Sequence, residues 1–189
     1  MDPVIIPPQA FKHLPWKNGQ GTTCELAKSP DPHFIWRISQ ARVDRDGEFS
    51  DFTGYDRVLI MLEGNGMDLF HGNGQQDLLE KPFDLAKFSG AWKTHAHLRQ
   101  GEIQDFNIMT DHNQCRAQVD TCATGPGLDL DVTADILLVH APTHSTRIIA
   151  PKGETWTLPA GHLFRQDSPD SGAWSVQGEG LICIQLKMI

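Results

Sequence analysis

Residues 57–70 read Arg-Val-Leu-Ile-Met-Leu-Glu-Gly-Asn-Gly-Met-Asp-Leu-Phe, and this stretch decides the fold class. Its two halves are apolar enough and short enough to form one β-strand each. Gly64, Asn65 and Gly66 separate them, and a tight turn needs the positive φ angles that glycine and asparagine tolerate. The stretch therefore predicts a β-hairpin.

The same pattern continues along the whole chain. Between breaks, apolar and polar residues alternate with period two, and Gly, Pro, Asn or Asp interrupts the pattern about every eight to twelve residues. This spacing is typical of an all-β sandwich or barrel, and long helical patterns are nearly absent. The strand candidates are residues 34–43, 57–63, 67–70, 83–88, 105–109, 115–122, 136–140, 147–150 and 181–188.

A weak internal sequence repeat indicates that the chain has two related halves. The apolar run at residues 58–62 is followed by a turn, a strand and residues 82–85. About eighty residues later, residues 136–139 are followed by a turn, a strand and residues 159–162, so each half would form a β-barrel or jelly roll. The breaker cluster at residues 124–127 predicts the join, which divides the chain into residues 1–124 and 125–189.

Length and composition exclude several classes of protein. The chain has 189 residues, a net charge of −8 and no cluster of Lys and Arg, which argues against a nucleic-acid partner. No apolar run reaches about 18 residues and no basic segment precedes an apolar one, so we expect no membrane partner and a cytoplasmic location. The four cysteines form no Cys-x-x-Cys pair and are expected to stay reduced.

Three segments place polar side chains together on one strand face, because side chains alternate faces along a strand. Such faces either meet water, as one side of an antiparallel sheet usually does, or satisfy one another inside a barrel mouth that holds a ligand. Both readings stay open, although lysine is almost absent from these faces, which is unusual for a solvated surface. The pairs are Arg37 with Ser39, Asp105 with Asn107, and Thr23 with Glu25.

A pocket made of these side chains favours a small anion. Arg37 or Arg57 can hold a carboxylate through two parallel hydrogen bonds. Glu25 and Asp105 would orient the arginines or accept a hydrogen bond from the ligand. The side chains that could recognise an amide or formyl group by geometry are Asn18, Asn107, Thr23 and Ser39.

A metal-dependent cupin enzyme is the alternative hypothesis. His95, His97 and Glu102 resemble the first metal motif of cupin barrels, in which two histidines on one strand face share a metal with a carboxylate. The glycine that follows in that motif is missing, and no later histidine has the expected spacing. Motifs for nucleophilic catalysis and for phosphate-binding loops are absent, so outside this alternative we expect no catalytic residue and no cofactor.

Motifs spread over roughly residues 10–112 are shared, in order and spacing, with a known family. They are Trp16-Lys17-Asn18-Gly19, Gly21-Thr22-Thr23 with Glu25, Trp36-Arg37-Ile38-Ser39, Gly54-Tyr55-Asp56-Arg57, Leu62-Glu63-Gly64-Asn65-Gly66, Phe88-Ser89-Gly90 and Asp105-Phe106-Asn107. In these motifs the chain resembles the HutD/Ves family of small bacterial proteins, which belongs to the cupin superfamily. The C-terminal half matches only as a strand pattern.

The resemblance implies an all-β fold of two fused cupin-like barrels or jelly rolls, a bicupin, with little helix. It also implies a non-enzymatic modulator of histidine utilisation that binds a small carboxylate such as formylglutamate, with Tyr55 among the binding residues. The family generally lacks the cupin metal ligands. Gln20 and Cys24 depart from the family pattern, so the identity of the ligand stays open. Whether the protein forms a homodimer, and whether it belongs to the Ves-like branch linked to stress response, also stay open.

Overall fold

The computed structural model describes residues 2–15, 21–30 and 33–189. Within these ranges the regular structure is β-strand, apart from one 3-10 turn at Pro8–Ala10. No helix in the described ranges is long and apolar enough to cross a membrane. In chain order the strands are β1 (Val4–Ile6), β2 (Lys12–Pro15), β3 (Thr22–Lys28), β4 (Trp36–Val43), β5 (Gly47–Glu48), β6 (Tyr55–Glu63), β7 (Met67–His71), β8 (Gln76–Leu79), β9 (Leu85–Ser89), β10 (Thr94–Leu98), β11 (Ile103–Asp111), β12 (Cys115–Cys122), β13 (Gly127–Val132), β14 (Ile136–His140), β15 (Thr146–Ile149), β16 (Thr155–Leu158), β17 (Leu163–Asp167), β18 (Gly172–Gln177) and β19 (Leu181–Met188).

The chain forms two compact units. The N-terminal unit runs from Lys12 to Gln114, and the C-terminal unit combines the segment up to Phe11 with the chain from Cys115 to Ile189. The sequence predicted a boundary between residues 124 and 125 instead. The structure differs because β12 pairs along its whole length with β19 and β1 pairs with β17, which ties both segments to the C-terminal unit.

Two antiparallel sheets make up the N-terminal unit. The larger has the strand order β2-β3-β4-β11-β6-β9, and the smaller has the order β5-β10-β7-β8. An apolar core contains Leu59 and Met61 from the larger sheet and Met67 and Leu69 from the smaller. We call the face of the larger sheet that carries Leu59 and Met61 its inner face.

The hairpin predicted at residues 57–70 is only half correct. The turn is present, since Gly64 and Gly66 have φ angles of 114° and 116°. The strands on either side of it do not pair, because β6 joins β9 and β11 whereas β7 joins β8 and β10. The turn thus carries the chain from one sheet to the other, which matches the burial of β6 on both faces.

The C-terminal unit repeats this arrangement. Its sheets have the orders β1-β17-β14-β19-β12 and β13-β18-β15-β16. The order β12-β19-β14-β17 corresponds, strand by strand, to β4-β11-β6-β9, and β13-β18-β15-β16 corresponds to β5-β10-β7-β8. The structure therefore confirms two related β halves, each with an apolar core of its own.

Candidate functional site

The residues predicted to bind a ligand lie on the inner face of the N-terminal unit. Glu25 on β3 pairs with Ser39 on β4, Ser39 with Asn107 on β11, and Asn107 with Leu59 on β6. Residues directly opposite one another on neighbouring strands share a face, so this row lies on the face that carries Leu59. Glu25, Ser39 and Asn107 are all buried.

Two further rows flank this one on the same face, because residues two positions apart on a strand point the same way. In one flanking row Arg37 pairs with Met109, and Met109 with Arg57. The other row contains Thr23 and Asp105. We call this set the polar wall; its members are Thr23, Glu25, Arg37, Ser39, Arg57, Asp105 and Asn107.

Two predicted residues stand apart from the polar wall. Tyr55 lies on the same face of β6, but its hydroxyl donates a hydrogen bond to the carbonyl oxygen of Phe34 at 3.0 Å. The two rings also pack with centroids 4.5 Å apart, so Tyr55 holds the chain at Phe34 in place. Asn18, the ninth predicted residue, lies outside the described residues.

Arg57 is buried without a carboxylate partner. Its guanidinium carbon lies 5.0 Å from the ring centroid of Phe49, 5.5 Å from that of Phe52 and 5.0 Å from that of Phe88. None of the described carboxylates forms an ion pair with it, and its Nε has no hydrogen-bond partner. Burial lowers the pKa of Arg57 to about 10 against the opposing effect of Asp105, so the group is charged at neutral pH.

Asp105 and Asn107 each present an oxygen atom that has no partner. Burial raises the pKa of Asp105 to about 7, while the charge of Arg57 and a hydrogen bond from the Ala41 backbone act in the opposite direction. Oδ1 of Asp105 and Oδ1 of Asn107 are buried and accept no hydrogen bond from any part of the chain that the structure describes. A buried polar atom without a partner costs about 1–3 kcal/mol, so these atoms are suited to contact a ligand.

Arg37 and Glu25 form a contact ion pair at the more accessible part of the polar wall. Nε of Arg37 donates to Oε2 of Glu25 at 3.0 Å, and the two side chains are 15% and 8% exposed. The Arg37 guanidinium also lies 5.9 Å from the Phe34 ring centroid. Glu25 thus orients Arg37 and leaves its terminal nitrogens free of any described carboxylate.

The metal centre hypothesised from the sequence is not assembled. His95 and His97 are exposed, because the inward positions of β10 are Thr94 and Ala96. Nδ1 of His97 lies 2.6 Å from Oδ2 of Asp46, and Glu102 accepts a hydrogen bond from Arg42. Over the described part of the chain, no three His, Cys, Asp or Glu side chains are placed to hold a metal ion.

Sequence reasoning missed the aromatic surroundings of Arg57. Phe49 and Phe52 follow β5 in a short connection and Phe88 lies on β9, so no regular spacing links them. The available signal was the presence of two phenylalanines in an otherwise polar segment, residues 48–53. Phe52 is fixed by hydrogen bonds, since its N–H donates to the Gly90 carbonyl at 3.0 Å.

His71 is a second buried polar residue that the sequence did not single out. Its Nδ1 lies 2.9 Å from Oγ1 of Thr94 and its Nε2 lies 3.0 Å from Oδ2 of Asp77. The ring also packs against Phe88 and Trp92, with centroids 5.0 and 5.2 Å away. With both nitrogens engaged, His71 holds β7, β8 and β10 together inside the apolar part of the unit.

The C-terminal unit contains a separate small cavity of about 150 Å³. Trp156 and Trp174 form one side of it, stacked with centroids 6.1 Å apart. Gln166, Glu154 and Asp170 are among its other lining residues. None of the residues predicted from the sequence lines it.

Comparison with known proteins gives a consistent assignment. A model of the HutD family matches residues 8–184. An uncharacterized 21.2 kDa protein from the hutC 3' region of Pseudomonas putida is 36% identical over 119 residues, which is 61% of this chain and 62% of that protein. The match thus spans less than two thirds of that relative. Protein Ves from Cronobacter sakazakii is 37% identical over 158 residues, covering 79% of this chain and 84% of that protein.

Solved structures extend the similarity to the whole chain. HutD from Pseudomonas fluorescens SBW25 superimposes with a TM-score of 0.85 at 26% identity, covering 100% of both chains. A cupin 2 conserved barrel protein from Leptotrichia buccalis has a TM-score of 0.52 at 13% identity, over 87% of this chain and 88% of that one. The second similarity concerns the fold alone and confirms the predicted cupin-like architecture.

Proposed function

Because the chain belongs to the HutD family, we propose that it is a non-enzymatic protein that binds a small carboxylate and modulates histidine utilisation. Formylglutamate is the ligand that we propose, and the polar wall of the N-terminal unit is the binding site. The geometry of the polar wall supports the class of ligand, and similarity to named relatives supports the pathway.

The observation that carries the proposal is the set of three buried, unpartnered polar atoms on one face: Nε of Arg57, Oδ1 of Asp105 and Oδ1 of Asn107. A charged guanidinium without a carboxylate partner favours an anion. An unpartnered amide oxygen favours a hydrogen-bond donor, such as the N–H of a formylated amine. Formylglutamate supplies both groups.

The names of relatives support the pathway. The Pseudomonas putida relative comes from the hutC 3' region, and the Pseudomonas fluorescens HutD structure was obtained in a formate condition. Formate is the simplest carboxylate and shares its charge and its oxygen geometry with the side chain and main chain of formylglutamate. We therefore place carboxylate recognition, and not catalysis, at the centre of the proposal.

The chemistry of the polar wall favours recognition. Its members supply a cation, an ion pair, a carboxyl group, an amide and two hydroxyls, and histidine, the most frequent general base, is not among them. The metal-dependent alternative loses its basis, since His95 and His97 point away from the wall. A Ves-like role is the remaining alternative, because a relative of that name covers more of this chain than the Pseudomonas putida relative does.

Calorimetry and thermal shift with formylglutamate, urocanate, histidine and glutamate test the proposal. We expect formylglutamate to bind and to raise the melting temperature, since a ligand that binds only the folded state stabilises it. We expect histidine, with its additional cationic amine, to bind more weakly. Folded protein that binds none of the four compounds would contradict the proposal.

A further inference from the structure

Asp105 is the one carboxyl group of the polar wall that lacks a contact cation, and this inference rests on the proposed function. Glu25 is neutralised by Arg37 at 3.0 Å, whereas Asp105 forms no ion pair with any described residue. Its neighbours across the sheet are Ala41 on β4 and Met61 on β6, neither of which is charged. The nearest influence of opposite charge comes from Arg57.

Among the residues that the structure describes, the other charged and titratable groups around Asp105 are already matched or exposed. From the smaller sheet, His71 and Asp77 contact each other at 3.0 Å. The inward residues of β9 and β10, such as Phe88 and Ala96, are not titratable. Lys12 and Lys28 lie on the wall's face at β2 and β3 but are exposed to solvent. The unbalanced charges of the buried wall are therefore Arg57 and Asp105.

These two groups set the charge that an incoming anion meets. With Asp105 ionised, its charge offsets that of Arg57, and a carboxylate entering the wall would add a net negative charge next to a buried carboxylate. Like charges in a poorly solvated site repel strongly. With Asp105 protonated, the wall carries one positive charge, which the anion neutralises.

The hydrogen-bonding capacity of Asp105 also favours its protonated form when the anion is bound. An ionised carboxylate can only accept hydrogen bonds, so Oδ1 of Asp105 would face the ligand's oxygens as one more acceptor. A protonated carboxyl group donates one hydrogen bond. Oδ1 is the oxygen available for that proton, because it has no hydrogen-bond partner among the described residues.

We propose that the anionic ligand enters the polar wall together with one proton from solvent, which binds to Oδ1 of Asp105. The resulting O–H donates a hydrogen bond to a ligand oxygen, and Arg57 holds the carboxylate. One O–H bond forms at Asp105 while one bond to hydrogen breaks in the hydronium ion or buffer acid that supplies the proton, and no other covalent bond changes. Oδ1 of Asn107 stays an acceptor for an N–H of the ligand.

Burial supports this step, because it already raises the pKa of Asp105 to about 7 in the protein alone. A bound anion would raise the pKa further, since a nearby negative charge disfavours the ionised form. The ligand's own carboxyl groups, with ordinary pKa values near 4, stay ionised above pH 6. Any proton taken up on binding between pH 6 and pH 9 would therefore bind to the protein and not to the ligand.

The test is calorimetry of the wild-type protein with N-formyl-L-glutamate in amine buffers of different ionisation enthalpy, triethanolamine and Tris at pH 8 and Bis-Tris and imidazole at pH 6. We expect uptake of about 0.9 proton per ligand at pH 8 and about 0.1 at pH 6. The dissociation constant should rise about tenfold per pH unit between pH 7.5 and 9 and change little below pH 6.5.

Two variants with the same change of charge sharpen the test. Asp105→Asn holds a neutral group that can still donate, so its affinity should be independent of pH and about tenfold tighter than wild type at pH 8. Asp129→Asn removes an exposed carboxylate of the C-terminal unit and should keep the wild-type proton uptake.

Binding by wild type without proton uptake, and with affinity flat from pH 6 to pH 9, would overturn the inference and leave the proposed function standing. Absence of binding by folded wild type at every pH would overturn the proposed function itself. The wild-type measurement decides between these outcomes even if Asp105→Asn does not fold.

Discussion

At the scale of single residues, Arg57 shows how a residue of the proposed binding site can oppose stability. Its charge is buried among Phe49, Phe52 and Phe88, which attract a cation through their ring faces but do not neutralise it. Desolvation disfavours the charged form, as the lowered pKa of about 10 shows. Such a residue costs folding free energy, and under the proposed function it supplies the cation that holds the ligand's carboxylate.

We expect Arg57→Met to raise the free energy of unfolding by about 1 to 2 kcal/mol, because a buried unpaired charge gives way to an apolar side chain of similar length. The same change should weaken formylglutamate binding by at least 1.5 to 3 kcal/mol, roughly 10- to 150-fold. Urea denaturation and calorimetry measure the two effects. Arg147→Met, at an exposed position of the C-terminal unit, is the control and should change neither. Wild-type affinity in Arg57→Met would place the anion elsewhere.

Arg37→Ala should weaken anion binding by roughly 1.5 to 3 kcal/mol, the range for hydrogen bonds to charged groups. It also leaves Glu25 without its partner at 3.0 Å, so part of the loss could come from Glu25 alone. The double variant Arg37→Ala with Glu25→Gln separates the two causes, because it removes the unpaired charge. Calorimetry that finds recovered affinity in the double variant would show that Arg37 itself does not contact the ligand.

The alternation of side chains along a strand explains which residues of the candidate site could be predicted from the sequence. The alternation that put Asp105 with Asn107, and Arg37 with Ser39, holds in the structure because strand side chains alternate strictly. The same rule cannot say which face is inward. His95 and His97 do share a face, but it is the outer one, and the smaller Thr94 and Ala96 point inward. Contacts between distant segments, such as Phe49 with Arg57, leave no periodic signal.

At the scale of elements, the connection between β5 and β6 positions the aromatic residues around Arg57. The Gly90 N–H donates to the Tyr55 carbonyl at 2.7 Å, and the Phe52 N–H donates to the Gly90 carbonyl at 3.0 Å. This close approach of two backbones leaves no room for a side chain on Gly90. The end of β9 therefore fixes where Phe52 stands relative to Arg57.

Gly90→Ala tests that coupling. The added Cβ would collide with the Phe52 carbonyl and lie 2.9 Å from the Phe52 Cβ, so the connection must shift. We expect a loss of about 1–3 kcal/mol in the free energy of unfolding, as for overpacking, and several-fold weaker ligand binding. Gly47→Ala is the matched control, because its Cβ would meet nothing within 4 Å. Equal stability and affinity in both variants would show that the Phe52 position is unimportant.

The sequence predicted the positions of long strands and of the turn at Gly64, but it did not predict which strands pair. The long, apolar candidates such as residues 57–63 and 136–140 correspond to β6 and β14, which are interior strands of their sheets and are buried on both faces. The turn at Gly64 was also correct, but its role was not, since a positive φ allows a sheet-to-sheet connection as well as a hairpin. Pairing partners depend on residues far away in the chain, which no local pattern reveals.

At the scale of the whole molecule, the two units share one strand order but differ in the side chains of their interiors. The N-terminal unit places the buried charged residues Glu25, Arg57 and Asp105 on its inner face. The C-terminal unit has an apolar core around Phe164 and Trp174, and its buried polar groups are neutral, such as His140. The internal repeat is weak in the sequence because the two units preserve the strand topology while their side chains have diverged.

This divergence predicts opposite pH dependence of stability in the two units. Burial raises the pKa of Asp105 to about 7, above its value near 4 in an unfolded chain, so the folded state binds the extra proton. Its contribution to stability is complete below about pH 4 and is lost as the pH rises through 7. Burial lowers the pKa of His140 to about 4, below the unfolded value near 6.5. Its contribution is complete above pH 6.5 and is lost as the pH falls through 4.

Hydrogen exchange read by mass spectrometry resolves the two units and checks this expectation. Between pH 4 and pH 7.5 the N-terminal unit of wild type should lose up to about 4 kcal/mol of protection relative to Asp105→Asn, whose amide does not titrate. From pH 6.5 down to pH 4 the C-terminal unit should lose up to about 3 kcal/mol relative to His140→Gln, which keeps a donor for the His162 carbonyl. Asp129→Asn should follow wild type in both units. Parallel pH profiles for wild type and Asp105→Asn in the N-terminal unit would mean that Asp105 stays ionised in the folded protein, because only a carboxyl group that gains a proton on folding produces this slope.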